Sequence, residues 1–133
     1  MRKNGILNQE ILKATGSLGH TDYLVISDAG LPIPLEVERI DLSVVKNLPR
    51  FLDVLKPILD EIIVEKIILA SEIKTASPDL AAQISELAGS IPIEYVPHVE
   101  FKRLTHNAKA IVRTGEHTPF SNIILQSGVD FRK

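Results

Sequence analysis

The sequence predicts a single α/β domain, three layers deep, with helices on both sides of a largely parallel or mixed sheet. Helical and strand-like segments alternate along the chain, the order that builds layered α/β domains. The strand-like segments are near-continuous apolar runs, as expected of strands covered on both faces. The 133 residues carry no repeat, linker or low-complexity segment. A chain of that size folds as one unit, residues 1–133, and buries roughly two-thirds of its unfolded surface.

Asn8 can cap a first helix, since its side-chain oxygen can accept from the free amides of the opening turn. Ile11, Leu12 and Leu18 then supply an apolar face, and Gly19 is placed to end the helix in the left-handed conformation. Tyr23 to Ser27 reads as a buried strand. Residues 47 to 63 carry Phe51, Leu52, Leu55, Leu59 and Ile62 at helical spacing, with Pro57 inside the pattern, where it removes an amide bond and is expected to kink the helix. Lys66 to Ala70 reads as a second strand. In SPDLAAQISELAG, Ser77 is the expected cap, Pro78 the first helical residue and Gly89 the stop. Ile91 to Val96 reads as a strand, Val99 to Asn107 as a short helix, and Ala110 to Arg113 and Asn122 to Gln126 as two further strands.

Composition narrows function. Zero cysteines exclude a disulfide scaffold, thiolate metal sites and cysteine nucleophiles, and agree with a reducing, cytoplasmic compartment. The opening MRKNGILNQEILKATG lacks the apolar core of a signal peptide, and Glu61, Glu65 and Lys66 interrupt the longest apolar stretches, so no membrane segment is expected. A net charge of −2 with both signs interspersed lacks the basic stripe that a phosphate backbone requires, so no nucleic-acid partner is expected. No GxGxxG, GxxxxGK[ST] or GxSxG motif occurs, which removes the usual support for hydride transfer, phosphoryl transfer and serine hydrolysis. No histidine pair has the close spacing of a zinc site, and no metal or cofactor is expected.

The remaining polar candidates each have an ordinary structural account. His20 follows a helix end, where an imidazolium would meet the terminal carbonyls. Asp28 precedes Ala-Gly and can brace a turn with its side chain. His98 and Lys102 lie four apart and share a helix face open to solvent. Yet Asp28 stands at the carboxyl end of a strand, where ligands gather in such sheets, and His98 follows another strand by two residues. From spacing alone, general acid-base chemistry and polar ligand binding both stay open.

Leu18-Gly19-His20-Thr21-Asp22, then Asp28-Ala29-Gly30-Leu31-Pro32-Ile33-Pro34 and Arg39-Ile40-Asp41-Leu42, closely resemble the D-ribose pyranase family of sugar mutarotases, which are associated with ribose uptake. The resemblance continues through Gly5-Ile6-Leu7-Asn8, Ala70-Ser71-Glu72-Ile73-Lys74, Arg113-Thr114-Gly115-Glu116 and Thr118-Pro119 to Asn122-Ile123-Ile124-Leu125. The related L-fucose mutarotases share the Gly-His and Asp-Ala pairs but not the Gly-Leu-Pro-Ile-Pro turn.

The resemblance implies a cofactor-free isomerase that interconverts the pyranose and furanose forms of D-ribose. It implies His20 as the catalytic acid, Asp28 and His98 as sugar contacts, and Lys102 lining the same site. It adds Phe120, Ser121 and Asn122 from an element that usually reads Thr-Pro-Tyr-Ala-Asn, so that Phe120 keeps the ring and lacks the hydroxyl. Family members form ring-like homo-oligomers, commonly decamers, with sites at subunit interfaces. Residues 20 to 28 fully extended span ~26 Å, too far for both ends to touch one pentose, so either the chain bends sharply between them or, in agreement with the resemblance, a neighbouring subunit completes the site. A catalytically idle sugar-binding protein, a mutarotase for another sugar such as L-fucose, and a purely structural oligomeric domain stay open beside this reading.

Overall fold

A computed structural model of the protein describes residues 1–131. Asn8 starts helix α1 (Gln9–Gly16), its Oδ1 accepting from the Ile11 N–H at 2.9 Å, and Ile11 and Ala14 form the buried face. The helix stops at Gly16, ahead of the expected Gly19, with Ser17 as a right-handed cap. The Asp22 carboxylate accepts from the Gly19 N–H at 2.7 Å and draws residues 19–22 into a separate turn. The left-handed residue of that turn is Thr21, at φ 71°.

Strand β1 (Tyr23–Ser27) follows as expected. Strand β2 (Glu38–Asp41) was not foreseen, because only Ile40 of its four residues is buried and the other three are charged and exposed. Charged residues of this kind protect a sheet edge, which is where β2 lies. Helix α2 (Phe51–Glu61) begins later than the expected residue 47, since Val45 and Leu48 close a small antiparallel bridge just before it. Pro57 does fall inside this helix.

Strand β3 (Val64–Ala70) leads to a single turn of helix, α3 (Ile73–Ala76), also not foreseen, and then α4 (Pro78–Ala88). Ser77 does not cap α4 with its side chain; its Oγ donates to the Pro119 carbonyl at 2.6 Å and ties the helix start to a distant loop. Gly89 ends the helix at φ 57°. Strand β4 (Ile93–Val96), helix α5 (His98–Leu104), a 3-10 turn at Thr105–Asn107, and strands β5 (Ala108–Arg113) and β6 (Ile123–Ser127) complete the chain.

The six strands form one mixed sheet in the order β2-β5-β1-β6-β3-β4. Strand β6 runs antiparallel to both of its neighbours, and the other pairings are parallel. Alternation along the strands splits the core into two layers. Leu24, Ile26, Ile67, Leu69 and Val112 face α1, α2 and α4, with Phe51, Leu55 and Ile84 closing that side. Val25, Ile68, Ile111 and Ile124 face the opposite way, under Phe101 of α5 and Leu31 and Val37 of the β1–β2 connection. Helices therefore cover both faces. No helix among the described residues is long and apolar enough to cross a membrane.

The chain leaves β1 toward β2 on one side of the sheet, then crosses to β3 and β4 on the other. Such a reversal opens a crevice at the carboxyl ends of the parallel strands. Because β6 is antiparallel, its first residues also lie at that edge.

Candidate active site

Asp28 and Asn122 meet at this edge, one just past the end of β1 and the other just before the start of β6. The Asn122 Oδ1 accepts from the Asp28 N–H at 2.8 Å, and its Nδ2 donates to Asp28 Oδ2 at 3.2 Å. The other carboxylate oxygen accepts from the Gly30 and Leu31 amides at 3.0 and 2.8 Å, so Asp28 does brace its turn. Burial raises the Asp28 carboxyl above its ordinary value, with the two amides and Asn122 pulling the other way. The turn is held in place by Arg113 at the end of β5. Its guanidinium donates twice to the Ala29 carbonyl, at 3.1 and 2.9 Å, and also to Asp41 at 3.0 Å at the end of β2.

His98 opens α5 two residues beyond β4. Both oxygens of Glu72 accept from its backbone N–H, at 3.0 and 3.1 Å, which places a carboxylate over the helix's free amide end. The imidazole stacks with Phe101 at 6.2 Å between centroids and meets the Phe120 ring edge-on at 5.1 Å. Its Nδ1 is buried with no hydrogen-bond partner among the described residues, so Nε2 is the ring nitrogen available to a ligand. Phe120 itself holds φ 61°, a strained conformation for a residue with a Cβ.

Asp28, His98, Phe120 and Asn122 together line a cavity of about 230 Å³, closed by Gly30 to Pro32 and Pro119. The larger cleft, about 880 Å³, lies elsewhere, between the starts of α2 and α4. The smaller cavity combines a carboxylate, an amide, an imidazole and an aromatic face, a set with the chemistry to bind a small polyhydroxylated ligand.

Three residues singled out from the sequence stand apart. Lys102 lies one turn beyond His98 on α5 and is not among the residues lining the cavity. Ser121 is fully buried, its hydroxyl donating to the Thr118 carbonyl at 2.6 Å. His20 sits at the opposite edge of the sheet, before the start of β1, and β1 separates it from Asp28 by about 16 Å of strand. There its Nε2 lies 2.9 Å from Glu65 Oε2, and about half of its side chain is exposed.

Sequence reasoning did not single out Glu72, Arg113 or Glu65. Glu72 and Arg113 fall within the quoted resemblance, but their contacts lie 26 and 84 residues away, and no local spacing reports them.

Residues 1–130 match the RbsD / FucU transport protein family. The chain is similar to a D-ribose pyranase of Geobacillus thermodenitrificans, at 55% identity over 98% of this chain and 99% of the relative. It is also similar to one of Streptococcus agalactiae, at 52% identity over 97% and 98%. The structure of Bacillus subtilis RbsD complexed with D-ribose superposes with a TM-score of 0.95 at 50% identity, covering 98% of this chain and all of the other. The fucose mutarotase of Streptococcus pneumoniae in complex with L-fucose gives a TM-score of 0.77 at 25% identity, over 93% and 94% of the two chains. The chain belongs to the RbsD / FucU transport protein family.

Proposed function

We propose that this protein is a D-ribose pyranase, an isomerase that interconverts the pyranose and furanose rings of D-ribose. The observation that carries the reading is the convergence of Asp28, His98, Phe120 and Asn122 on one cavity, in a fold whose 50%-identical neighbour is a complex with D-ribose. The curated relatives named D-ribose pyranase, matched over nearly the whole chain, support the activity.

The chemistry asks little of the protein beyond placed proton donors and acceptors. A proton goes to the ring oxygen, the bond from that oxygen to the anomeric carbon breaks, and the anomeric hydroxyl loses its proton to form the aldehyde. Closure through a different hydroxyl reverses these transfers, so protons and electrons balance over the cycle. In this reading His20 protonates the ring oxygen. Asp28, Asn122 and the Nε2 of His98 orient or relay protons at the hydroxyls, and Phe120 packs on the sugar face. In the same reading Lys102, one turn beyond His98 on α5, and Ser121, buried between Phe120 and Asn122, belong to the sugar's surroundings without lining the cavity. Positioned acid-base groups typically contribute ~10²–10⁴-fold.

His20 lies across the sheet from the cavity, so the reading requires it to act in a neighbouring subunit's site. The protein is then a homo-oligomer, a decamer on the family's pattern, with each site completed at an interface. Cysteine-free composition fits the cytoplasmic location that belongs to the same reading.

Magnetisation-transfer NMR on D-ribose tests this directly. The wild-type protein is expected to speed pyranose-furanose exchange, and His20→Ala to abolish most of the gain. Binding without faster exchange would instead identify a sugar-binding protein, a reading that the missing Phe120 hydroxyl favours. Faster exchange with L-fucose alone would identify a mutarotase for that sugar and overturn the assignment of D-ribose.

A further inference from the structure

His20 is held more firmly than a surface histidine needs to be. Its turn is pinned on both sides, with the Thr21 N–H donating to the Ser127 carbonyl and the Ser127 N–H donating to the Asp22 carbonyl, both at 2.8 Å. The residue after it carries the strained φ of 71°. Its ring is fixed by Glu65 of β3 at 2.9 Å, and the second oxygen of Glu65 accepts from Gln126 Nε2 of β6 at 2.6 Å. Three separate elements thus converge on one imidazole.

Stability does not account for this arrangement, because an ion pair this exposed contributes little to folding. The nearby cations are engaged elsewhere. Lys66 pairs with Glu94 at 3.0 Å, and Lys109 lies 3.8 Å from Asp22. Glu65 is held below the usual carboxylate range by the Gln126 amide first and His20 second, so it is an ionised acceptor at neutral pH. A carboxylate that accepts from one ring nitrogen decides which tautomer the neutral ring adopts and leaves the other nitrogen for chemistry.

We propose that Glu65, itself oriented by Gln126, is the positioning residue for His20, holding the proton on Nε2 so that Nδ1 is the nitrogen that exchanges a proton with the sugar. This rests on His20 being the catalytic acid. In the forward direction the Nδ1 proton of the imidazolium passes to the ring oxygen as the bond to the anomeric carbon breaks. Neutral His20 then remains as the Nε2–H tautomer, still donating to Glu65. Ring closure returns a proton to Nδ1.

The test uses the full-length protein in three forms, wild type, Glu65→Gln and His20→Ala, with Gln126→Ala as a milder probe that leaves the carboxylate in place. Long-range proton-nitrogen NMR reads the His20 tautomer, and ring-exchange kinetics read kcat and KM. Wild type is expected to show the Nε2–H tautomer. Glu65→Gln is expected to show a mixture of tautomers, with kcat reduced about tenfold to hundredfold and KM little changed, as for other carboxylates that orient an imidazole. Gln126→Ala is expected to fall between the two. A Glu65→Gln protein with wild-type kcat and an unmixed tautomer would overturn the role of Glu65 while His20→Ala remains inactive. Full activity in His20→Ala would overturn the underlying assignment of His20 instead.

Discussion

At the scale of single residues, the site is built from polar groups whose partners are already chosen. Asp28 is the clearest case, with both oxygens occupied from within the chain. Burial raises its carboxyl above the ordinary 3.8, so the native chain binds that proton more tightly than the unfolded chain does. The stability Asp28 contributes is therefore greatest below 3.8 and declines as pH rises through the raised value. Urea unfolding at fixed protein concentration should show the stability of wild type relative to Asp28→Asn falling across that window. A difference that stays level with pH would refute the raised carboxyl. Phe120 gives a second test. Restoring the missing hydroxyl in Phe120→Tyr is expected to tighten D-ribose binding by about fivefold, near 1 kcal/mol, by calorimetry. Unchanged affinity would mean that no sugar hydroxyl waits at that position.

At the scale of elements, the loops rather than the strands set the site's shape. Gly115 shows how closely they approach, since a Cβ there would lie 2.5 Å from the Leu48 carbonyl oxygen and 2.7 Å from that of Val45. Both neighbours are backbone and cannot rotate away. Gly115→Ala is therefore expected to destabilise the protein by about 1–3 kcal/mol, read as a lower unfolding midpoint in denaturant. A neutral result would show that the 45–48 loop yields easily.

The strands β1, β3, β4, β5 and β6 and the helices α1, α2, α4 and α5 were legible because apolar periodicity is a local signal. Strand β2 and helix α3 were not, being four residues each and largely polar on their exposed sides. The ends of α1 and α2 differ from expectation because other hydrogen bonds outweighed the expected caps: Asp22, in the turn just beyond α1, claims the Gly19 amide, and Glu116, far along the chain, accepts from the Phe51 N–H at 3.0 Å at the start of α2. For the site, position and spacing raised His20, Asp28, His98 and Lys102 without assigning them a role, and the resemblance supplied the roles and added Phe120, Ser121 and Asn122. Of those, Asp28, His98, Phe120 and Asn122 share a cavity in this chain, while His20 does not.

At the scale of the whole molecule, that separation makes the proposed activity a property of an assembly. Light scattering is expected to find an oligomer, and dissociation to abolish activity. A sharper test mixes two variants, His20→Ala and Asn122→Ala, by refolding or co-expression. Each alone is expected to be inactive or nearly so. Mixed rings should recover activity at about a quarter of their interfaces, those that bring an intact His20 to an intact cavity. No recovery in a sample shown to be mixed would place both residues in one subunit's site.

Strand β6 runs against its neighbours from Asn122 just before its start to Gln126 near its far end. In a ring built as proposed, one end of this strand furnishes the sugar pocket of one interface, and the other steadies the acid of the next. A change of register in β6 would turn Ile123 and Leu125 toward the wrong layer and misplace both ends together. In such a ring each subunit would be a short strut between two reaction centres. Changes along this segment would have to preserve two sites simultaneously.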